Sequence, residues 1–371
     1  MDTSLASIMM FVGFMFAAYS IVANDAIQTL GTFLSSNSHR PWWLLWLYAS
    51  TILTGVLVYG WFVNYGDVAY GRLAKFPEPE GGVTWIHVIP PIFILLLTRF
   101  GIPVSTTFLV LTVFAPTNTQ AVLMKSVLGY GVAIGVGLLV YLAVSRLLEK
   151  RFMESAGDKP GWYWVVFQWA STGFLWSQWL IQDLANIFVY LPRELDASVL
   201  VFSVVFMLLL HAIIFARRGG EIQKIVTSKT NTTDIRAATI IDLIYAFILL
   251  YFKQISNIPM STTWVFLGLL AGREIALTLM VQHRPIFQSV KMAVQDLARA
   301  LLGLAVSFAL AFGLPALDRM LFTRAASVDG SNTRDVEDGS AAGEPPAAQD
   351  EAAIAPPAMD LVRQPVRDID L

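Results

Sequence analysis

A six-residue phrase occurs twice, as Ile102-Pro103-Val104-Ser105-Thr106-Thr107 and as Ile258-Pro259-Met260-Ser261-Thr262-Thr263. Both copies are set in otherwise apolar sequence, where three consecutive hydroxyls have to be satisfied by something. Proline suits the first turn of a helix, and Ser or Thr side chains cap the free N–H groups there, so each phrase predicts a helix start. Such a helix end carries roughly half a positive charge and attracts anions.

Upstream of each phrase sits an acidic-amide cluster: Asn24-Asp25 with Gln28 before the first, Gln182-Asp183 with Asn186 before the second. Asp25 precedes Ser105 by 80 positions and Asp183 precedes Ser261 by 78, so the halves repeat in content and in spacing. A duplicated half with polar residues at helix breaks is the pattern of a secondary transporter whose site lies between the repeats.

Composition places this duplication in a bilayer. Hydrophobic residues make up 56% of the 371 and charged residues 14%, an imbalance that no soluble domain of this size requires. The chain has no cysteine, and its four histidines (His39, His87, His211, His283) show no metal-ligand spacing, which removes disulfide, thiolate and zinc chemistry. Residues 325–371 hold ten acidic and three basic residues, leaving 17 acidic and 22 basic for the rest. The basic residues of that body lie in loops between apolar runs, a topology signal with no nucleic-acid signature. Met1-Asp2-Thr3 leads straight into an apolar run without a basic n-region, so a retained helix is expected rather than a cleaved signal peptide.

In chain order, residues 5–23 form a first span that ends at Asn24-Asp25, which are expected to cap a following short helix and so break the element there. A second span runs from the Trp42-Trp43 pair to about Val63, and 64–84, with Pro77, Pro79 and Gly81-Gly82, reads as an extramembrane loop. Residues 85–98 and 105–115 are apolar stretches too short to cross at ~20 residues each, which predicts a re-entrant hairpin with Ser-Thr-Thr at its tip. A long span over 121–148 closes the first half. The second half repeats the order: 162–181 with a break at Gln182-Asp183, then 197–215, then 237–255 and 262–282 around the second phrase, and a last span over 300–317. Basic loops flank the 237–282 pair on both sides, so it enters and leaves on the cytoplasmic face, again as a hairpin.

The expected architecture is therefore an all-α polytopic integral membrane protein with two inverted repeats, broken helices and re-entrant Pro-x-Ser-Thr-Thr hairpins. Residues 1–150 form the first repeat and 151–320 the second, while 321–371 form an acidic Ala/Pro-rich tail with too little apolar content to fold. The cell's inner (plasma) membrane is its expected place.

At Ala23-Asn24-Asp25-Ala26-Ile27-Gln28-Thr29-Leu30-Gly31-Thr32 and at the two Pro-x-Ser-Thr-Thr phrases, the chain resembles the PiT-type inorganic phosphate transporters. That family carries a Gly-Ala-Asn-Asp-Val-Ala-Asn-like signature in each half, with Pro-Val-Ser-Thr-Thr downstream. The resemblance implies cotransport of phosphate with sodium or protons through two inverted repeats. It places Ser105, Thr106, Thr107, Ser261, Thr262 and Thr263, with Asn24 and Gln182, around the phosphate, and Asp25, Asp183, Gln28 and Asn186 around the cation. The partners are then inorganic phosphate or a related oxyanion and the lipid bilayer, with no nucleic acid; a homo-oligomer is open. No cofactor is implied, and no metal beyond transported sodium. The chain departs from the family pattern at Gln28 and Gln182, where asparagine is usual, and at Phe108 and Trp264, where histidine is common.

Other readings stand beside this one: a permease for sulfate or an arsenate-like ion, or a membrane sensor or scaffold that keeps the fold. No nucleophile and base stand at a spacing that suggests an enzyme. Arg99 and Lys253 read as snorkelling cations, Arg273-Glu274 as an internal ion pair, and His87 and His211 as satisfied bundle residues.

Overall fold

The computed structural model describes residues 3–100, 102, 104–144, 155, 160–219, 234–255, 258–281 and 285–337. Among them the chain is all-helical. Residues Met1–Met320 form one compact unit, and Leu321–Leu371 are grouped as a second.

Eleven α-helices order the described residues: α1 Thr3–Ile21, α2 Ile27–Ser36, α3 Trp42–Val63, α4 Trp85–Arg99, α5 Thr106–Phe114, α6 Thr119–Val144, α7 Trp162–Phe188, α8 Ala197–Ala216, α9 Ile235–Ile255, α10 Thr262–Val281 and α11 Ile286–Glu337. Seven helical stretches are long and apolar enough to cross a membrane, lying in α1, α3, α6, α8, α9, α10 and α11. Their lipid-facing positions carry exposed apolar side chains such as Ile8, Phe62, Leu139, Val201 and Leu302, as bilayer contact requires. The protein is thus an integral membrane protein.

Helix α7 has the length of a span, 27 residues, but carries Gln168, Ser171, Thr172, Gln178, Gln182, Asp183 and Asn186 on its buried side. A helix surrounded by other helices needs no apolar coat, and α7 packs chiefly on α9. The indoles of Trp176 and Trp179 stack at 4.9 Å in the same core.

Two expected breaks turn out differently. At Asn24-Asp25 the chain stays helical and changes winding, with a π-helical segment Val22–Ala26 between α1 and α2. Ala26, in helical backbone geometry, begins α2 without any side-chain cap, so Asp25 does not act as a capping residue there. At Gln182-Asp183 the α-helix continues unbroken to Phe188. Asp25 accepts from threonines of two other helices, and Asp183 accepts from Asn186 one turn on in its own helix, so neither carboxylate has to end its helix to be met.

Helices α4 and α5, 15 and 9 residues long, form the expected short pair around the first phrase. The second pair is built of longer arms, α9 with 21 residues and α10 with 20. Helix α11 begins at Ile286, well before the expected start at 300, and its backbone runs on to Glu337, into the stretch read as an unstructured tail. Residues 338–371 lie outside the described residues.

Helices α6 and α10 approach each other closely at two glycines. A Cβ on Gly272 would stand 2.3 Å from the carbonyl of Ile134, and one on Gly268 2.6 Å from that of Tyr130. Gly268 and Gly272 lie four residues apart on one face, so the backbone contact is available only to glycine. This docks α10, and with it the second Ser-Thr-Thr start, against the first half.

Candidate functional site

Both Pro-x-Ser-Thr-Thr phrases are helix starts. The Oγ of Ser105 accepts the N–H of Phe108 at 3.3 Å, and that of Ser261 accepts the N–H of Trp264 at 3.2 Å. The serines are thereby spent on capping, and the threonines turn to the centre. The two starts clasp each other: Thr107 Oγ1 donates to the carbonyl of Met260 at 3.1 Å, and Thr263 Oγ1 donates to that of Val104 at 3.2 Å. Val104 and Met260 hold the same place in their phrases, so the exchange is reciprocal.

Asp25 lies between them, 1% exposed. Its carboxylate accepts Thr106 Oγ1 at 2.5 Å, Thr263 Oγ1 at 3.2 Å and Asn24 Nδ2 at 2.8 Å. The same Asn24 amide donates to the carbonyl of Val104 at 2.9 Å, and its Oδ1 accepts Thr98 Oγ1 at 3.3 Å. The π-winding sets Asn24 and Asp25 against both starts, in keeping with the frequent presence of such segments at functional sites.

From the second half, Asn186 Nδ2 lies 2.7 Å from Asp183 Oδ1 and 3.1 Å from the Oγ1 of both Thr106 and Thr107. Asp25, Thr106, Asn186 and Asp183 thus form one chain of hydrogen bonds that crosses from half to half. Two oxygens of this chain, Asp183 Oδ2 and Asn186 Oδ1, are buried and have no hydrogen-bond partner. Leaving a buried polar atom unmet costs about 1–3 kcal/mol, and more when it is charged, which a hard cation such as sodium would relieve through oxygen ligands. Thr262 lies beside Asp183 through its side chain, and its carbonyl accepts the Tyr245 hydroxyl at 3.0 Å.

Gln182 takes a different direction from its neighbours. Its Oε1 accepts a hydrogen bond from Arg72 Nη2, and its Nε2 donates to the carbonyl of Leu249 at 3.1 Å. The side chain of Gln28 lies outside the described residues. All six residues of the two Ser-Thr-Thr runs, with Asn24, Asp25, Gln182, Asp183 and Asn186, are at most 5% exposed and belong to one cluster.

Arg72 is the site residue that the sequence pattern misses, because it belongs to a stretch that reads as an extramembrane loop. It is 2% exposed and lies within electrostatic reach of Asp183. A second missed feature is Asp242, a single carboxylate in the apolar run of α9. It accepts Thr32 Oγ1 at 2.6 Å and Thr172 Oγ1 at 2.5 Å, and Gln168 and Asn37 extend this chain toward Arg40. One acidic residue inside an apolar span is the signal that marks it.

Among the described residues, Arg99, His87 and His211 make no hydrogen bond to the cluster. Arg99 is exposed at the end of α4. Arg273 stacks over the Tyr141 ring at 5.4 Å. His87 closes a capping box with Thr84, as a satisfied bundle residue, whereas His211 pairs through Nδ1 with the carbonyl of Met207 at 2.8 Å and keeps a buried Nε2 without a hydrogen-bond partner.

The fold is thus a helical membrane fold with a buried oxygen-rich cluster at two helix starts. The fold is similar to a solved structure described as the sodium-dependent phosphate transporter, with a TM-score of 0.56 and 15% identity over 85% of this chain and 100% of that one. No family model and no curated protein matches the sequence.

Proposed function

We propose that the protein is a secondary active transporter of inorganic phosphate, coupled to sodium or protons and working by alternating access in the cell's plasma membrane. The observation that carries this reading is the hydrogen-bonded chain from Asp25 through Thr106 and Asn186 to Asp183, which joins both halves at two helix starts. The anion is met by the threonine hydroxyls and helix starts of both phrases, with Asn24 and Gln182. The cation is met by the carboxylates, with Asn186 and Gln28. Sodium is the favoured ion, because Asp183 Oδ2 and Asn186 Oδ1 offer uncommitted oxygen ligands side by side on one turn of α7.

Residues 1–150 and 151–320 act as two inverted repeats that rock about this cluster, and the reciprocal Thr107 and Thr263 bonds are the contacts expected of such a pair. Because both repeats contribute to each ion's shell, neither ion is fully coordinated unless both are docked, and that couples binding to the rocking motion. Radiolabelled phosphate uptake into proteoliposomes tests this. Uptake should rise on imposing an inward sodium gradient and stay at background with potassium alone. Uptake driven by a proton gradient alone would replace sodium as the coupling ion, and no uptake under either would overturn the reading.

A further inference from the structure

We propose that Arg72, with Lys125 and Lys253, forms an anion subsite beside the second Ser-Thr-Thr start, and that its fixed positive charge selects doubly charged oxyanions. The inference rests on the transport reading, whose site it shares, and extends that site to a loop.

The loop is built to aim Arg72 inward. The Asp67 carboxylate accepts the N–H groups of Ala69 at 2.7 Å and Gly71 at 2.6 Å. Tyr70 and Gly71 follow with φ of 56° and 71°, two consecutive left-handed residues that reverse the chain immediately before Arg72. Tyr70 pins this turn to α3: its hydroxyl donates to the carbonyl of Val56 at 2.6 Å, and its ring leaves no room for a side chain at Gly60. A loop that merely connected two helices would have no need of a carboxylate brace, a strained tyrosine and a buried guanidinium.

At the end of this lever the guanidinium donates to Gln182 Oε1, while its Nε–H is buried and has no acceptor among the described residues. An arginine presents five donors in a fixed fork, and a donor left over inside a membrane protein calls for an acceptor that arrives with the ligand. Gln182 is also one of the positions where the chain departs from the resembling family. Its extra methylene lets the amide bridge Arg72 and the carbonyl of Leu249, so the departure and the buried arginine form one device.

Two more cations complete the subsite. Lys125 Nζ donates to the carbonyl of Ile258, the first residue of the second phrase, at 2.5 Å, and Lys253 lies over the Tyr70 ring at 5.7 Å. Both are in electrostatic reach of Arg72. Arg72, with the two lysines in reach of it, sets positive charge beside the cluster that holds Asp25 and Asp183. A dianion with several equivalent oxygens, such as hydrogen phosphate or sulfate, fits that charge and the guanidinium fork better than a monovalent anion does.

The test is binding of radiolabelled phosphate and of radiolabelled sulfate to the full-length purified protein at saturating sodium, with sodium-22 binding measured separately in the absence of either anion. Arg72→Gln should weaken whichever dianion the wild type takes by at least about 30-fold, the loss typical of truncating one partner of a buried charge pair. Arg72→Lys, which keeps the charge without the fork, should weaken it by less. Sodium-22 binding by Arg72→Gln should be equal to wild type or tighter, because a cation has been removed from the neighbourhood of Asp183. Unchanged dianion affinity in Arg72→Gln would overturn the proposal, as would parallel loss of sodium and anion binding, which marks a brace for Gln182 and Asp183. If Arg72→Gln does not fold, wild-type affinity in Arg72→Lys overturns the requirement for the guanidinium fork. Arg72-dependent sulfate binding without phosphate binding would sustain this subsite and refute phosphate as the cargo. Phosphate uptake that ignores Arg72 would do the reverse.

Discussion

Asp25 and Asp183 occupy matching places in the two halves, yet the chain treats them differently. Asp25 lies in a π-wound segment and accepts hydrogen bonds from Asn24, Thr106 and Thr263, so it holds both Ser-Thr-Thr starts together. Asp183 lies in an unbroken α-helix, is held by Asn186 through Oδ1, and keeps Oδ2 without a hydrogen bond. One carboxylate is a brace, and the other has open ligand capacity. A repeated motif fixes residue types, while local winding decides which of them are spent on structure and which are left for a ligand.

This contrast can be broken most decisively at the aspartates themselves. In sodium-free buffer, Asp25→Asn should lower the melting temperature markedly. The new amide turns an N–H group toward hydroxyl or amide donors, stranding at least one or two of them at about 1–3 kcal/mol each. Asp183→Asn should leave the melting temperature unchanged or raise it, since it removes a buried carboxylate with an unmet oxygen. Equal destabilisation by both would erase the distinction between brace and ligand.

A smaller effect is expected at the bridge. Thr106→Val removes the hydroxyl that connects Asp25 to Asn186, and should cost about 1–2 kcal/mol in denaturation or thermal unfolding, together with weaker sodium binding. Smaller still is Gln182→Asn, which shortens the reach to Arg72 and to the carbonyl of Leu249. It should cost less than about 1 kcal/mol of stability and still weaken anion binding several-fold, since Arg72 loses its anchor.

Much of this arrangement was legible in the sequence. The helix starts at Ser105 and Ser261, the burial of both amide-acid clusters and the convergence of four motifs follow from apolar context and spacing, because hydroxyls and carboxylates in a bilayer have few other places to go. The continuity of the helices at Asp25 and Asp183 was not legible. Whether a polar residue ends a helix depends on whether a donor reaches it without a break: Asp25 takes Thr106, which is distant in sequence, and Asp183 takes Asn186 one turn further along its own helix. Arg72 was hidden for a related reason: loop arginines are usually solvated, and only the three-dimensional turn at Tyr70-Gly71 sends this one inward. Asp242 could have been found, since it is a lone acid in an apolar run, and the polar chain from Thr172 to Arg40 shows what that acid requires.

The decisive measurement is sodium-22 binding to the purified protein with and without phosphate, in the wild type and in Asp183→Asn. Phosphate should strengthen sodium binding in the wild type, and Asp183→Asn should lose both that enhancement and most of the sodium affinity while remaining folded. Sodium binding in Asp183→Asn that equals the wild type, still enhanced by phosphate, would contradict the assignment of the open carboxylate to the cation and of this cluster to coupled transport.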